Sequence, residues 1–185
     1  MPEDLNKFTT RELGHLFPIL IVNHNPDWKN IYKLEKQNII RALGPDNILR
    51  IEHIGSTAIP GLCAKPTIDI LLEIPRLTDL EYIKEKLKNI DYQYIPKSEN
   101  PAPHMMFARG YSTKGITGQT YHIHIRYSGE WDEIKIRDFL IKNPEFAAKY
   151  GALKRQLAVK FRNDREKYTE GKTDFINRVI TMTKR

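Results

Sequence analysis

The chain has 185 residues, 40% of them hydrophobic and 29% charged, with a net charge of +7 and a pI near 9.4. This is the composition of a soluble globular protein with one full core. It excludes both disorder and a bilayer-crossing helix, since no apolar run nears the roughly 20 residues that a span requires.

No repeat or Pro/Gly-rich linker divides the sequence, so residues 1–185 are expected to form a single domain, with about 1–15 loosely held. The run "LFPILIV" is too short to span and lacks a small-residue cleavage site, which reads as packing rather than a signal peptide. A lone cysteine, Cys63, cannot close an internal disulfide, and the expected location is cytoplasmic.

Taken in chain order, "DWKNIYKLEKQNIIRALG" carries Trp28, Ile31, Leu34, Ile39 and Leu43 at helical spacing and stops at Gly44-Pro45. "NILRIEHI" and "PTIDILLEI" read as strands, the second ended by Pro75, and "DLEYIKEKLKNI" as an amphipathic helix. "HMMFARGY" and "TYHIHIRY" read as two more strands, joined through "STKGITGQ" as a turn or exposed loop. From Asp132 onward the pattern is helical: "DEIKIRDFLIKN", "PEFAAKYGALKRQLAVKFR" opened by Pro144, and "DREKYTEGKTDFINRVITMTK" capped by Asp164. The fold class is therefore α/β (α+β), a small mixed sheet with flanking helices and a helical C-terminal third. From Asn143 on, eleven Lys/Arg stand against five acids, nearly the whole of the positive excess. A basic face of this kind attracts nucleotides, coenzymes or nucleic acid; the alternative is a solvated helix face.

Strand alternation assigns faces. Ile68, Ile70, Leu72 and Ile74 share one, leaving Thr67, Asp69, Leu71 and Glu73 on the other; Tyr121, Ile123, Ile125 and Tyr127 leave His122, His124 and Arg126 opposite. If the strands are neighbours, one carboxylate and two imidazoles open into one cleft. Such a set suits a divalent ion (Mg, Mn or Zn), whereas hydrogen bonding of the histidines within the sheet is the plainer reading. Beside it, Gly55 followed by Ser56 and Thr57 allows close approach of the backbone to an anion, with Lys65 as a nearby point charge. Neither a P-loop nor a Rossmann fingerprint is present.

A Gly-Ser turn followed by an acid-bearing strand resembles the signature of the nucleotidyltransferase superfamily. The stretch "EHIGSTAIPGLCAKPTIDI", with "HIHIR", "IRDFLIKNPEFAAKYGALKRQLA" and "YTEGKTDFI", is similar to the GrpB family over about Trp28 to Ile180. That resemblance implies a divergent nucleotidyltransferase-like core, and some such proteins occur fused to dephospho-coenzyme A kinase. In the superfamily the turn binds triphosphate and paired acids bind two Mg ions. Here Gly55 and Ser56 match the turn and Asp69 the second acid, but Thr67 stands at the first acid and His122 and His124 stand near the third. Two of the three carboxylates of the two-metal arrangement are thereby missing.

The expected function is binding of a nucleotide or phosphorylated small molecule, with metal-assisted nucleotidyl transfer as its enzymatic form. Asp69, His122 and His124 form the catalytic and metal-holding set, and Gly55, Ser56, Thr57, Lys65, Arg109 and Lys154 the substrate-binding set. Arg109 alternatively pairs with an acid at the sheet edge. Arg137 and Asp138 read as a structural pair. A non-catalytic regulatory binder is the second reading. Nucleic-acid binding is the third, disfavoured because the charges are dispersed and lack the aromatic interleaving of RNA-binding modules. No membrane partner is expected.

Overall fold

The apolar alternation of the strands and the 3.6-residue periodicity of the helices meet in one mixed five-stranded sheet. The computed structural model describes residues 7–184. Among them lie α1 (Thr10–Leu16), α2 (Trp28–Leu43), β1 (Arg50–Ile54), β2 (Thr67–Ile74), α3 (Leu80–Lys88), β3 (Gln93–Pro96), β4 (Met105–Ser112), β5 (Gly115–Tyr127), α4 (Asp132–Lys142), α5 (Pro144–Lys160), α6 (Arg165–Glu170) and α7 (Thr173–Thr183). The strand order is β1-β2-β5-β4-β3; β2 and β5 run parallel and every other pair antiparallel.

One face of the sheet makes the main core. Ile68, Ile70, Leu72 and Ile74 of β2 pack with Phe107, Ile123 and Ile125, under Trp28, Ile39 and Leu43 of α2 and Ile83 and Leu87 of α3. Burial of each such side chain contributes about 1.5–3 kcal/mol, which fixes the register of β2 and β5 by their apolar face. Helix α2 stops where its residues direct: Gly44 takes φ +76°, its amide bonds Ile40 O, and Pro45 follows. A second apolar cluster gathers Ile59, Leu62, Leu140, Ala147, Tyr150 and Val179, so that α4, α5 and α7 pack with the connection after β1. No helix among the described residues is long and apolar enough to cross a membrane.

Four local features differ from the sequence expectation. The loop "STKGITGQ" is mostly strand: β4 extends to Ser112 and β5 begins at Gly115. Its outer residues pair through the backbone beyond the core, so no buried face marks them. Strand β3 spans four residues at the sheet edge and ends in Pro96, too short to display alternation. The helix read over 164–184 is two, broken at Gly171, where a Cβ would lie 2.5 Å from Leu157 Cδ2.

The fourth concerns the stretch 1–15, expected to be loosely held; residues 1–6 lie outside the described residues. The rest contains α1, closed by a capping box in which Thr9 Oγ1 accepts from the Glu12 amide and the Glu12 carboxylate accepts from the Thr9 amide. Asn163 Nδ2 donates to Gly14 O at 2.9 Å, tying α1 to the turn after α5.

Candidate functional site

The side of the sheet opposite the main core carries the polar residues. In the parallel register Asp69 faces His122 and Leu71 faces His124, so pairing β2 with β5 brings the carboxylate and both rings together. Asp69 Oδ1 lies 3.1 Å from His122 Nδ1 and 3.4 Å from His124 Nε2. One donor atom from each of the three residues falls within 4.8 Å of the others, and the side chains keep 28%, 14% and 22% of their surface exposed. The group is thus packed but accessible. On the far side of His122, Tyr111 Oη sits 3.0 Å from Nε2.

Gly55 closes one wall. It takes φ +72°, and a Cβ there would stand 2.7 Å from Asp69 Oδ2. Glycine is therefore required twice, by the backbone conformation and by the approach of the carboxylate. The turn that follows, Ser56–Ala58, leaves the amides of Ser56 and Thr57 and the Ser56 hydroxyl without a hydrogen-bond partner among the described residues. The Thr57 side chain points elsewhere. It is buried, its hydroxyl donates to Thr67 O at 3.0 Å, and His53 Nε2 contacts the same hydroxyl at 3.0 Å. His53 itself stacks on Tyr32 with ring centres 4.7 Å apart.

Charges around the group are predominantly positive. Burial tends to raise the Asp69 pKa, but hydrogen bonds from His122 and His124 and their charge outweigh it and hold the carboxyl well below its usual range. Burial lowers His122, opposed by Asp69, and pushes His53 down to about 4. Burial, followed by repulsion from Arg165 and Lys172, brings Lys65 down to about 8, with Asp69 pulling the other way. Lys172 is lowered by burial and also senses Asp69. Lys154, only 2% exposed, is depressed to about 7, mainly by burial. Its Nζ donates to Cys63 O and lies 4.7 Å from the Tyr150 ring centre. Lys65, Lys154, Lys172 and Arg165 make no ion pair with any described residue. Lys65 and Arg165 also line a cavity of about 240 Å³, with Thr67, Tyr111 and Thr120.

The structure therefore gathers Asp69, His122, His124, Gly55, Ser56 and Lys65, with Lys154 in the same field but anchored to a carbonyl. Two expected substrate contacts lie apart. Thr57 spends its hydroxyl inside the turn. Arg109 projects from the opposite side of the sheet, where Nη2 pairs with the buried Glu35 and the guanidinium stacks on Tyr92 and Tyr121. Glu73 holds Arg50, the Gly129 amide and the Trp131 indole N–H, and Arg137 pairs with Glu52 and Asp138; both are structural. Sequence reasoning missed Tyr111 and Arg165. A glycine inside a strand pattern, Gly110, was the available signal for the first; nothing local marks the second.

Comparison with known proteins adds the following. The family model described as GrpB protein matches residues 18–182. The glutamate-rich protein GrpB of Alkalihalophilus pseudofirmus is 32% identical over 166 residues, covering 88% of this chain and 94% of that protein. The crystal structure of conserved protein GrpB from Enterococcus faecalis matches with a TM-score of 0.77 at 27% identity, over 89% of this chain and 96% of that one. A more distant relative, a dephospho-CoA kinase of Mycolicibacterium paratuberculosis, is 22% identical over 188 residues; the match covers 88% of this chain but 45% of that enzyme.

Proposed function

This chain belongs to the GrpB family, and from that premise we propose that it binds a nucleotide or another phosphorylated small molecule beside a divalent ion held by Asp69, His122 and His124. The observation that carries the reading is the meeting of that donor set with three basic side chains, Lys65, Lys172 and Arg165, that make no ion pair with any described residue. A phosphate bridging the ion and Lys65, Lys172 and Arg165 would supply the missing negative charge, with the Ser56 and Thr57 amides as further donors. The partial match to a dephospho-CoA kinase agrees with a phosphate-rich ligand.

The chemistry proposed is transfer of a nucleotidyl or related phosphoryl-containing group, with one ion rather than two. A two-metal centre sets its ions about 3.5–4 Å apart between shared carboxylates. Strand β2 offers one carboxylate at the site, and the Thr67 hydroxyl is paired with Thr120 at 2.9 Å. The ion would neutralise charge on the phosphate and orient it, Lys65 and Arg165 would hold non-bridging oxygens, and Gly55 would let the Asp69 carboxylate close on the backbone beside the ion. The single carboxylate also favours a second reading, a binder that senses its ligand without turning it over.

Thermal shift with a panel of nucleotides and coenzyme A precursors, with and without Mg, Mn or Zn, tests the proposal. A ligand present at 100 times its Kd stabilises by about 2.7 kcal/mol, or roughly 5–10 °C for a chain of this size. The shift should depend on the metal and disappear in Asp69→Ala. Product formation separates the enzyme from the sensor. No shift across the panel, with variant and parent alike, defeats both. A preference for RNA or DNA with a steep loss of affinity in salt would point instead to nucleic acid.

A further inference from the structure

Resting on the reading that Asp69, His122 and His124 hold an ion, we propose that this ion is a borderline transition metal rather than Mg, and that Tyr111 is the positioning residue that readies His122 to bind it. Two imidazoles and one carboxylate are the donors of Zn, Mn, Fe, Co or Ni sites; Mg prefers oxygen and keeps several waters. Three protein donors would leave further coordination positions for an exogenous ligand such as a phosphate oxygen.

The role of Tyr111 follows from the two nitrogens of His122. A neutral imidazole has one N–H. With Nδ1 directed at Asp69, the ring can bind an ion there only if its proton resides on Nε2. Tyr111 Oη, 3.0 Å from Nε2, accepts that proton's hydrogen bond and so turns the Nδ1 lone pair toward the ion. Before the ion arrives, the same hydroxyl can donate to Nε2 while Nδ1–H bonds the carboxylate. A phenol hydroxyl serves both states because it is donor and acceptor at once.

The backbone is shaped to deliver it. Simple alternation would place Tyr111 on the face of Met105, Phe107 and Arg109, away from the histidines. The β4–β5 register breaks between Arg109 and Tyr111, and Gly110 within the break has φ +90°. A Cβ on Gly110 would lie 2.4 Å from Gln119 O, so only glycine fits. The bulge turns Tyr111 to the polar side, where its ring lies nearly parallel to His122 (12°, centres 5.6 Å apart) and Phe17 braces it edge-on at 5.1 Å.

The test is titration of the full chain with Co(II), followed by its visible d–d bands, then competition by Zn(II) and by a thousandfold excess of Mg(II). The parent should take one Co(II) per chain, lose it to Zn and retain it against Mg. Tyr111→Phe should keep the parent's circular dichroism yet bind Co(II) about 10–100 times more weakly, with an altered d–d spectrum. Asp69→Asn should show no site. Parent protein that takes up neither Co(II) nor Zn(II) overturns the ion itself, and this inference with it. Displacement by Mg overturns the metal class. A Tyr111→Phe protein with the parent's affinity and spectrum overturns the role of Tyr111 while leaving the site standing.

Discussion

Gly55→Ala is the substitution in which backbone strain and site geometry can be separated. Alanine at φ +72°, ψ −172° would sit in a region of backbone space essentially confined to glycine, at a cost of about 1–3 kcal/mol. Its Cβ would also lie 2.7 Å from Asp69 Oδ2 and 3.1 Å from Asp69 Cβ. The second atom is fixed to the backbone of a central strand and cannot yield, so a carboxylate rotation relieves only part of the contact. Overpacking of this kind adds about 1–3 kcal/mol, for a total of roughly 2–6 kcal/mol. Gly61→Ala is the control. Its φ is +77°, and nothing stands within 4 Å of the new Cβ, so whatever it costs is backbone strain without a contact, and the Asp69→Ala cycle isolates the contact at Gly55. Urea unfolding of parent, Gly55→Ala, Gly61→Ala, and the pair Gly55→Ala/Asp69→Ala with its Asp69→Ala single yields each cost. Gly55→Ala should exceed Gly61→Ala by at least about 1 kcal/mol, and removal of the carboxylate should recover part of that excess. Equal costs at the two glycines, with strict additivity in the double variant, would refute the claim that Gly55 is shaped by Asp69.

Arg109→Met should destabilise the chain by about 3–5 kcal/mol in denaturant titration, because Glu35 is left charged and buried with Tyr92 and Asn38 as its remaining partners; the double variant with Glu35→Met should recover most of the loss, and nucleotide-induced thermal shifts should be unchanged. Lys154 has a pKa of about 7 in the folded chain against the ordinary 10.5, so between those values the unfolded state holds more protons and stability rises with pH, by at most about 5 kcal/mol over the window. Lys154→Met removes that slope: its melting temperature relative to the parent should be highest at pH 6 and fall steadily toward pH 9, and a constant difference would refute the assignment.

The layering of the fold was legible because its signals are local. Period-two alternation in β2 and β5 displays both faces, and Gly44-Pro45 and Pro144 mark helix ends in the residues themselves. Parity along β4 was equally readable. Met105 and Phe107 are apolar, so Arg109 belongs to their face, and this same count places it away from the histidines beside Glu35. Tyr111 breaks the count because Gly110 takes a positive φ where the β4–β5 register slips, two residues of β4 spanning five of β5, and a strand sequence states a glycine without stating which way it turns the next side chain. Burial of Lys154 was legible from spacing as well: Ala147, Tyr150, Gly151, Lys154, Leu157 and Ala158 recur at i, i+3, i+4, i+7, i+10 and i+11, so the lysine lies on the buried stripe of α5, and only its charge argues for water.

The contrast between two sets of cations bears on the ligand. Arg50, Arg109, Arg126 and Arg137 each meet a carboxylate: Glu73, Glu35, Glu133, and Glu52 with Asp138. Lys65, Lys154, Lys172 and Arg165 gather near one carboxylate already engaged by two histidines, and the depressed pKa values of Lys65 and Lys154, about 8 and about 7, record the uncompensated field as well as burial. A bound phosphate would reverse that field and lift both lysines toward their ordinary value. At pH 8 a group with a pKa of about 8 is half protonated, so full protonation of Lys65 takes up about half a proton, and Lys154 can add up to about another 0.9. Calorimetric titration of a nucleotide in two buffers of different ionisation enthalpy measures that number directly. Uptake of between about 0.5 and about 1.4 protons at pH 8, falling toward zero by pH 6 where both lysines are already charged, is the expected outcome. Binding with no buffer dependence at pH 8 would mean that the phosphate does not reach these lysines and that their exposure to one another has another cause.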